Sequence, residues 1–239
     1  MVRFLLARLG AIALVLLFAV SGAQAGQMQD FERELRIAYS DYRTALFRTN
    51  MNDKAASEAA IEAMAAKWQT LMAKWLPAPP PQYAEDRLFK SALDNVAKVL
   101  AIARTEAAST QLAAAHDTLE KIRDELGNLR RRNGVRIFSD RMNAFHEQME
   151  KILRGSYDNF DLRGVANLRD DVAVLTFLAE DIAANPPADR DATYESTFVS
   201  VRKSVEDLRE AIRSGDVPAI KAAIKTLKQP YARMFLNYG

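Results

Sequence analysis

Residues 31–46, FERELRIAYSDYRTAL, and residues 138–153, FSDRMNAFHEQMEKIL, decide the fold. Each places apolar or aromatic side chains three and four residues apart, the spacing of one face of an α-helix. At an offset of 107, Phe31, Leu35, Tyr39, Tyr42 and Leu46 fall on Phe138, Met142, His146, Met149 and Leu153. Thr70, Ala73, Pro80 and Pro81 fall on Thr176, Ala179, Pro186 and Pro187 at 106, and Ala115, Thr118 and Leu119 on Ala223, Thr226 and Leu227 at 108. A near-constant offset over three helices and a proline loop reads as an internal duplication.

The same periodicity extends along the chain and predicts helices near 28–48, 55–76, 85–105, 110–132, 136–154, 162–183, 190–213 and 217–237. No stretch alternates as a strand would. Pro79-Pro80-Pro81 and Pro186-Pro187 end helices, Asn133-Gly134 is a turn, and Asp216 ahead of Pro218 opens the last helix. Four helices per copy are enough to close a bundle. The expected fold is therefore all-α: two tandem four-helix units, 26–133 and 134–239, forming two bundles rather than one merged array.

The first 25 residues have a different character. Arg3 and Arg8 precede an uncharged, mostly apolar run from Leu9 to Val20, and Ala23-Gln24-Ala25 offers a small-residue cleavage site. That run is shorter than the roughly 20 residues a spanning helix needs. The segment reads as a cleavable signal peptide, with a bacterial periplasm as the destination and no stable membrane insertion after cleavage.

Cleavage would remove Arg3 and Arg8 from the 33 basic residues and leave the 31 acidic ones untouched, giving formal neutrality. A neutral chain is not built to coat nucleic acid or an anionic surface. There is no cysteine, so stability must come from core burial. Thiolate zinc sites, iron–sulfur clusters and thiol redox chemistry are excluded with it.

In helix count and unit length, this layout resembles the periplasmic four-helix-bundle cytochromes of the c′ and b562 type. The resemblance implies a haem-binding bundle. Covalent attachment cannot carry over, because C-x-x-C-H needs thiols the chain lacks. Non-covalent haem would need a Met and a His from opposite walls of one bundle.

Soft ligands gather in Met142-Asn143-Ala144-Phe145-His146. Met142, His146 and Met149 stand at i, i+4 and i+7 on one helical face. Thioether and imidazole together suit copper(I), or haem iron as a Met/His pair. His116, the only other histidine, could join them if the helices before and after Asn133-Gly134 fold back on each other; Glu120 and Glu150 would then be outer partners. The duplication offers a plainer reading. Leu35, Tyr39 and Tyr42 fill the three positions in the first copy and Ile224 replaces His116 in the second, so both histidines occupy packing positions.

Other motifs fail. His146-Glu147 begins like H-E-x-x-H, but Glu150 stands where the second histidine must be. Neither histidine follows a Glu-x-x spacing, since Asn143 and Ala113 precede them, so no di-iron unit forms. Arg130-Arg131-Arg132 reads as a complement to a helix C-terminus, and Trp68 and Trp75 as core. The aromatic end of the chain reads as a docking surface for the last helix, kinked at Pro230. Two functions follow: a non-enzymatic bundle that binds copper or haem through Met142, His146, Met149 and His116, or an interaction protein for an envelope partner with structural histidines.

Overall fold

The computed structural model describes the backbone of residues 2–157, 160–188 and 190–239, with side chains described from Gly26 onward. The expected signal peptide, residues 1–25, lies outside the residues whose side chains are described. Every regular element among the described residues is helical: α1 (Val2–Asn50), α2 (Lys54–Trp75), a 3-10 turn (Pro81–Tyr83), α3 (Phe89–Ala108), α4 (Leu112–Arg132), α5 (Phe138–Arg154), α6 (Leu162–Ala184), α7 (Ala192–Ser214), α8 (Val217–Thr226) and α9 (Lys228–Tyr238). No described helix is long and apolar enough to cross a membrane.

The chain divides into two compact units, Met1–Val135 and Arg136–Gly239. In the first, each of α1 to α4 packs on its sequence neighbour and α4 closes on α1. In the second, α5 packs on α6, α6 on α7, and α7 on both α8 and α9, which return to α5.

Helix starts follow from side-chain chemistry. Asp53, Asp161, Asp191 and Asp216 each accept a hydrogen bond from the backbone N–H three residues on, satisfying a donor that the helix leaves unpaired. Gly215, at φ 71°, ends α7 in the left-handed conformation that glycine adopts without strain.

Three boundaries differ from expectation. Helix α1 begins at Val2 rather than near residue 28. Residues 85–88 form a turn rather than the start of α3, because the Asp86 carboxylate accepts from Leu88 N at 2.9 Å and organises the turn around itself. The last helix is interrupted in its hydrogen bonding at Leu227, which itself keeps helical angles (φ −62°, ψ −40°). Pro230, three residues on, cannot donate to the Thr226 carbonyl and is tolerated in the first turn of α9.

Buried positions recur between the units. Leu35, Ala38, Tyr42 and Ala45 match Met142, Phe145, Met149 and Ile152 at 107, and Ile61, Trp68 and Trp75 match Leu168, Leu175 and Ile182 at the same offset. This corrects the 106 expected for the second helix of each copy, which would set exposed Ala73 on buried Ala179 and buried Trp68 on exposed Val174. Phe89, Leu93, Val96, Leu100, Ala103 and Ala107 match Tyr194, Phe198, Val201, Val205, Leu208 and Ile212 at 105. Leu112, Ala115, Leu119 and Leu126 match Ile220, Ala223, Leu227 and Met234 at 108. One contact recurs as well: Phe31 and Phe89 lie 5.9 Å apart between ring centres, and Phe138 and Tyr194, their counterparts, also 5.9 Å.

Both indole N–H groups of the core find acceptors. Trp68 Nε1 donates to Leu93 O at 3.0 Å, and Trp75 Nε1 to Glu34 at 2.8 Å. The arginine triplet occupies the last turn of α4, where cations complement the helix C-terminus, and its members make different contacts. Arg130 is buried, Arg131 bonds Asn128, and Arg132 reaches Asp86 at 2.7 Å.

Candidate functional site

His116 lies on α4, in the first unit. Its Nδ1 is 3.0 Å from Thr49 Oγ1 and 3.1 Å from Leu46 O, both in the last turns of α1. A carbonyl oxygen only accepts, so the Leu46 contact assigns the ring proton to Nδ1. The Thr49 hydroxyl lies 2.9 Å from Ala45 O, to which it donates, leaving its oxygen to accept from the ring. The other ring nitrogen stands 4.0 Å from Glu120, whose carboxylate is held by Arg123 at 2.8 Å. The histidine thus ties the exit of α1 to α4.

His146 lies on α5, in the second unit. It is half-buried, its ring 5.3 Å from that of Tyr231 on α9 and tilted by 31°. Tyr231 also stacks on Phe145 at 5.6 Å and donates its hydroxyl to Met142 O at 3.2 Å. Met142 and Met149 are fully buried. On α5, both thioethers thus lie inside the unit and the imidazole at its edge against α9. The chain end docks the last helix through Tyr231, and through Tyr238, whose hydroxyl reaches Asp191 at 2.6 Å.

Glu150 pairs with Arg154 at 3.3 Å and Lys228 at 3.4 Å. Both expected outer carboxylates, Glu120 and Glu150, are thus engaged by cations. Among the described residues, no three His, Asp or Glu side chains converge as a metal-binding group.

The first unit sets Tyr39 and Tyr42 where the second has His146 and Met149. Their ring centres are 4.6 Å apart. Burial, with the Tyr39 neighbour adding to it, pushes the Tyr42 hydroxyl well above the ordinary tyrosine range and keeps it protonated.

A groove of about 300 Å³ between α6 and α7 was not anticipated. It is lined by Arg169, Arg209, Arg213 and Thr176 together with Val172, Ala173 and Ile212. The signal available in the sequence was a charge reversal between copies: Glu62 falls on Arg169 at the offset of 107. No family model, curated protein or solved structure matches this chain.

Proposed function

We propose that the chain is an exported, non-enzymatic helical-bundle protein of duplicated origin that serves as a periplasmic interaction or scaffold protein, with structural histidines. The observation that carries this reading is the hydrogen bonding of His116 Nδ1 to Thr49 and Leu46, which gives that histidine a role in joining α1 to α4. The recurring burial pattern supports the duplication. Arg3, Arg8, the apolar run and Ala23-Gln24-Ala25 support export. Val174 and Phe177 on α6 and Val199 on α7 are exposed apolar side chains available to an envelope partner.

A second reading rests on the burial of Met142 and Met149 on the face that carries His146. These three residues would hold copper(I), or supply an axial pair to non-covalent haem. Thermal unfolding with and without copper and iron chelators separates the two. With structural histidines, chelation leaves the midpoint of the protein as purified unchanged, and His116→Ala lowers it equally in both conditions. A midpoint that falls on chelation, but not in a His146→Ala, Met149→Ala variant, would replace the first reading by the second.

A further inference from the structure

The positions lining the α6–α7 groove of the second unit have counterparts in the first that carry an exposed ion pair of opposite charges. Ile61 and Leu168 are matched, fully buried positions at an offset of 107, and the next residues are Glu62 and Arg169. Ala103 and Leu208 are matched, fully buried positions at 105, followed by Arg104 and Arg209. In the first unit, Glu62 and Arg104 form an ion pair at 3.2 Å between α2 and α3. In the second, the carboxylate position holds Arg169, and Arg213 stands where the first unit has Ala108. An ion pair has become three cations around a groove.

Their remaining partners are weak. Arg209 bonds Glu206 at 2.7 Å, and Arg213 bonds Glu206 at 3.2 Å and Glu210 at 2.8 Å. All four of these side chains are well exposed, and such pairs contribute little and rearrange readily. Among the described residues, Arg169 has no ion-pair or hydrogen-bond partner. Glu206 and Glu210 offset the charge of Arg209 and Arg213, so Arg169 is the cation of this groove that no described carboxylate meets.

We infer that this groove binds a phosphomonoester bearing an apolar group, its phosphate taking the place that the Glu62 carboxylate fills in the first unit. A tetrahedral dianion presents oxygens to guanidinium groups from several directions, whereas a planar carboxylate matches one or two forks. Val172, Ala173 and Ile212 give the groove apolar lining, and the Thr176 hydroxyl donates to its own helix at Val172 O (2.8 Å), which calls for a hydrophobic substituent on the ester. A volume of about 300 Å³ lies at the lower end for small-molecule sites.

The test is calorimetric titration of the purified chain with phenyl phosphate, dihexanoyl phosphatidic acid below its aggregation concentration, and inorganic phosphate. Phenyl phosphate or the short lipid should bind at least about tenfold more tightly than inorganic phosphate, and more weakly as salt rises. Tighter binding of the lipid assigns the head group as the source; equal or tighter binding of phenyl phosphate assigns a soluble ester. Arg169→Glu rebuilds the first unit's ion pair and should keep the fold while reducing affinity at least about tenfold. No binding up to about 10 mM, or affinity unchanged in Arg169→Glu and Arg213→Gln variants with native circular dichroism, would overturn the assignment. Inorganic phosphate binding as tightly as both esters would overturn the role of the apolar lining. None of these outcomes depends on whether the histidines are structural.

Discussion

His116 Nδ1 lies 3.0 Å from Thr49 Oγ1, across a sequence separation of 67 residues, and this contact joins the first and last helices of the first unit. Helix α1 packs on α4 as the closing step of the bundle, so the contact stabilises the least local pairing in that unit. His116→Ala should cost about 1–2 kcal/mol and Thr49→Val about 1 kcal/mol. The double variant should cost less than their sum, because the two share a bond. Urea unfolding of the four proteins measures the coupling; additive losses would contradict the tie.

Asp86 anchors the turn before α3 to the end of α4. Its carboxylate accepts from Arg132 Nε and Asn133 Nδ2, each at 2.7 Å, and from Leu88 N. Burial alone would raise its pKa, but the hydrogen bonds from Asn133, Leu88 and Arg132 outweigh that and hold it below the usual aspartate range. A carboxyl depressed in the folded state adds stability above its unfolded pKa, and that stability is lost as pH falls through the folded value. Asp86→Asn should therefore cost about 1–2 kcal/mol at neutral pH, with the deficit shrinking once the pH drops below about 4. Stability curves of both proteins between these conditions check the sign.

Glycines at two places should respond oppositely to alanine. A Cβ on Gly164 would sit 1.8 Å from the Tyr157 carbonyl oxygen, so the chain leading into α6 would have to move; the expected loss is about 2–4 kcal/mol. Gly127, inside α4, faces open space, with nothing within 4 Å of where a Cβ would stand. Gly127→Ala should stabilise by about 0.5–1 kcal/mol through helix propensity. Thermal denaturation of each variant distinguishes the two signs.

Export predicts a defined mature terminus. When the full chain is expressed in a bacterium with a periplasm, the periplasmic fraction should contain a species beginning at Gly26. Mass spectrometry of that fraction gives the answer; an uncleaved chain retained with the membrane would contradict it.

Much of the fold was legible because amphipathic spacing carries it. The stripes through Ile61, Met64, Trp68, Leu71 and Trp75, and through Tyr194, Phe198, Val201, Val205 and Leu208, are the buried faces of α2 and α7. The start of α3 was not legible, because it depends on Asp86 meeting Arg132 and Asn133 from 46 and 47 residues away. That Met142 and Met149 would lie on the buried side of α5 could be read from spacing. That His116 would bond the α1 backbone could not, since the Leu46 carbonyl leaves no mark in sequence. The arginine groove was hidden for another reason. The register of 105 was readable, since Ser91, Val96, Lys98 and Arg104 fall on the identical Ser196, Val201, Lys203 and Arg209; that the three arginines line one groove depends on how α6 packs on α7, which spacing alone does not give.

Whether the histidines are structural, with no soft-metal centre in the bundle, is decided by anaerobic copper(I) titration of the purified chain against a chromogenic competitor. Haem titration should run alongside it, with Met149→Leu, a volume-conserving core change, as the paired variant. Structural histidines predict no stoichiometric uptake of either and identical curves for the two proteins. One equivalent bound by the wild-type chain and lost in Met149→Leu would contradict that reading.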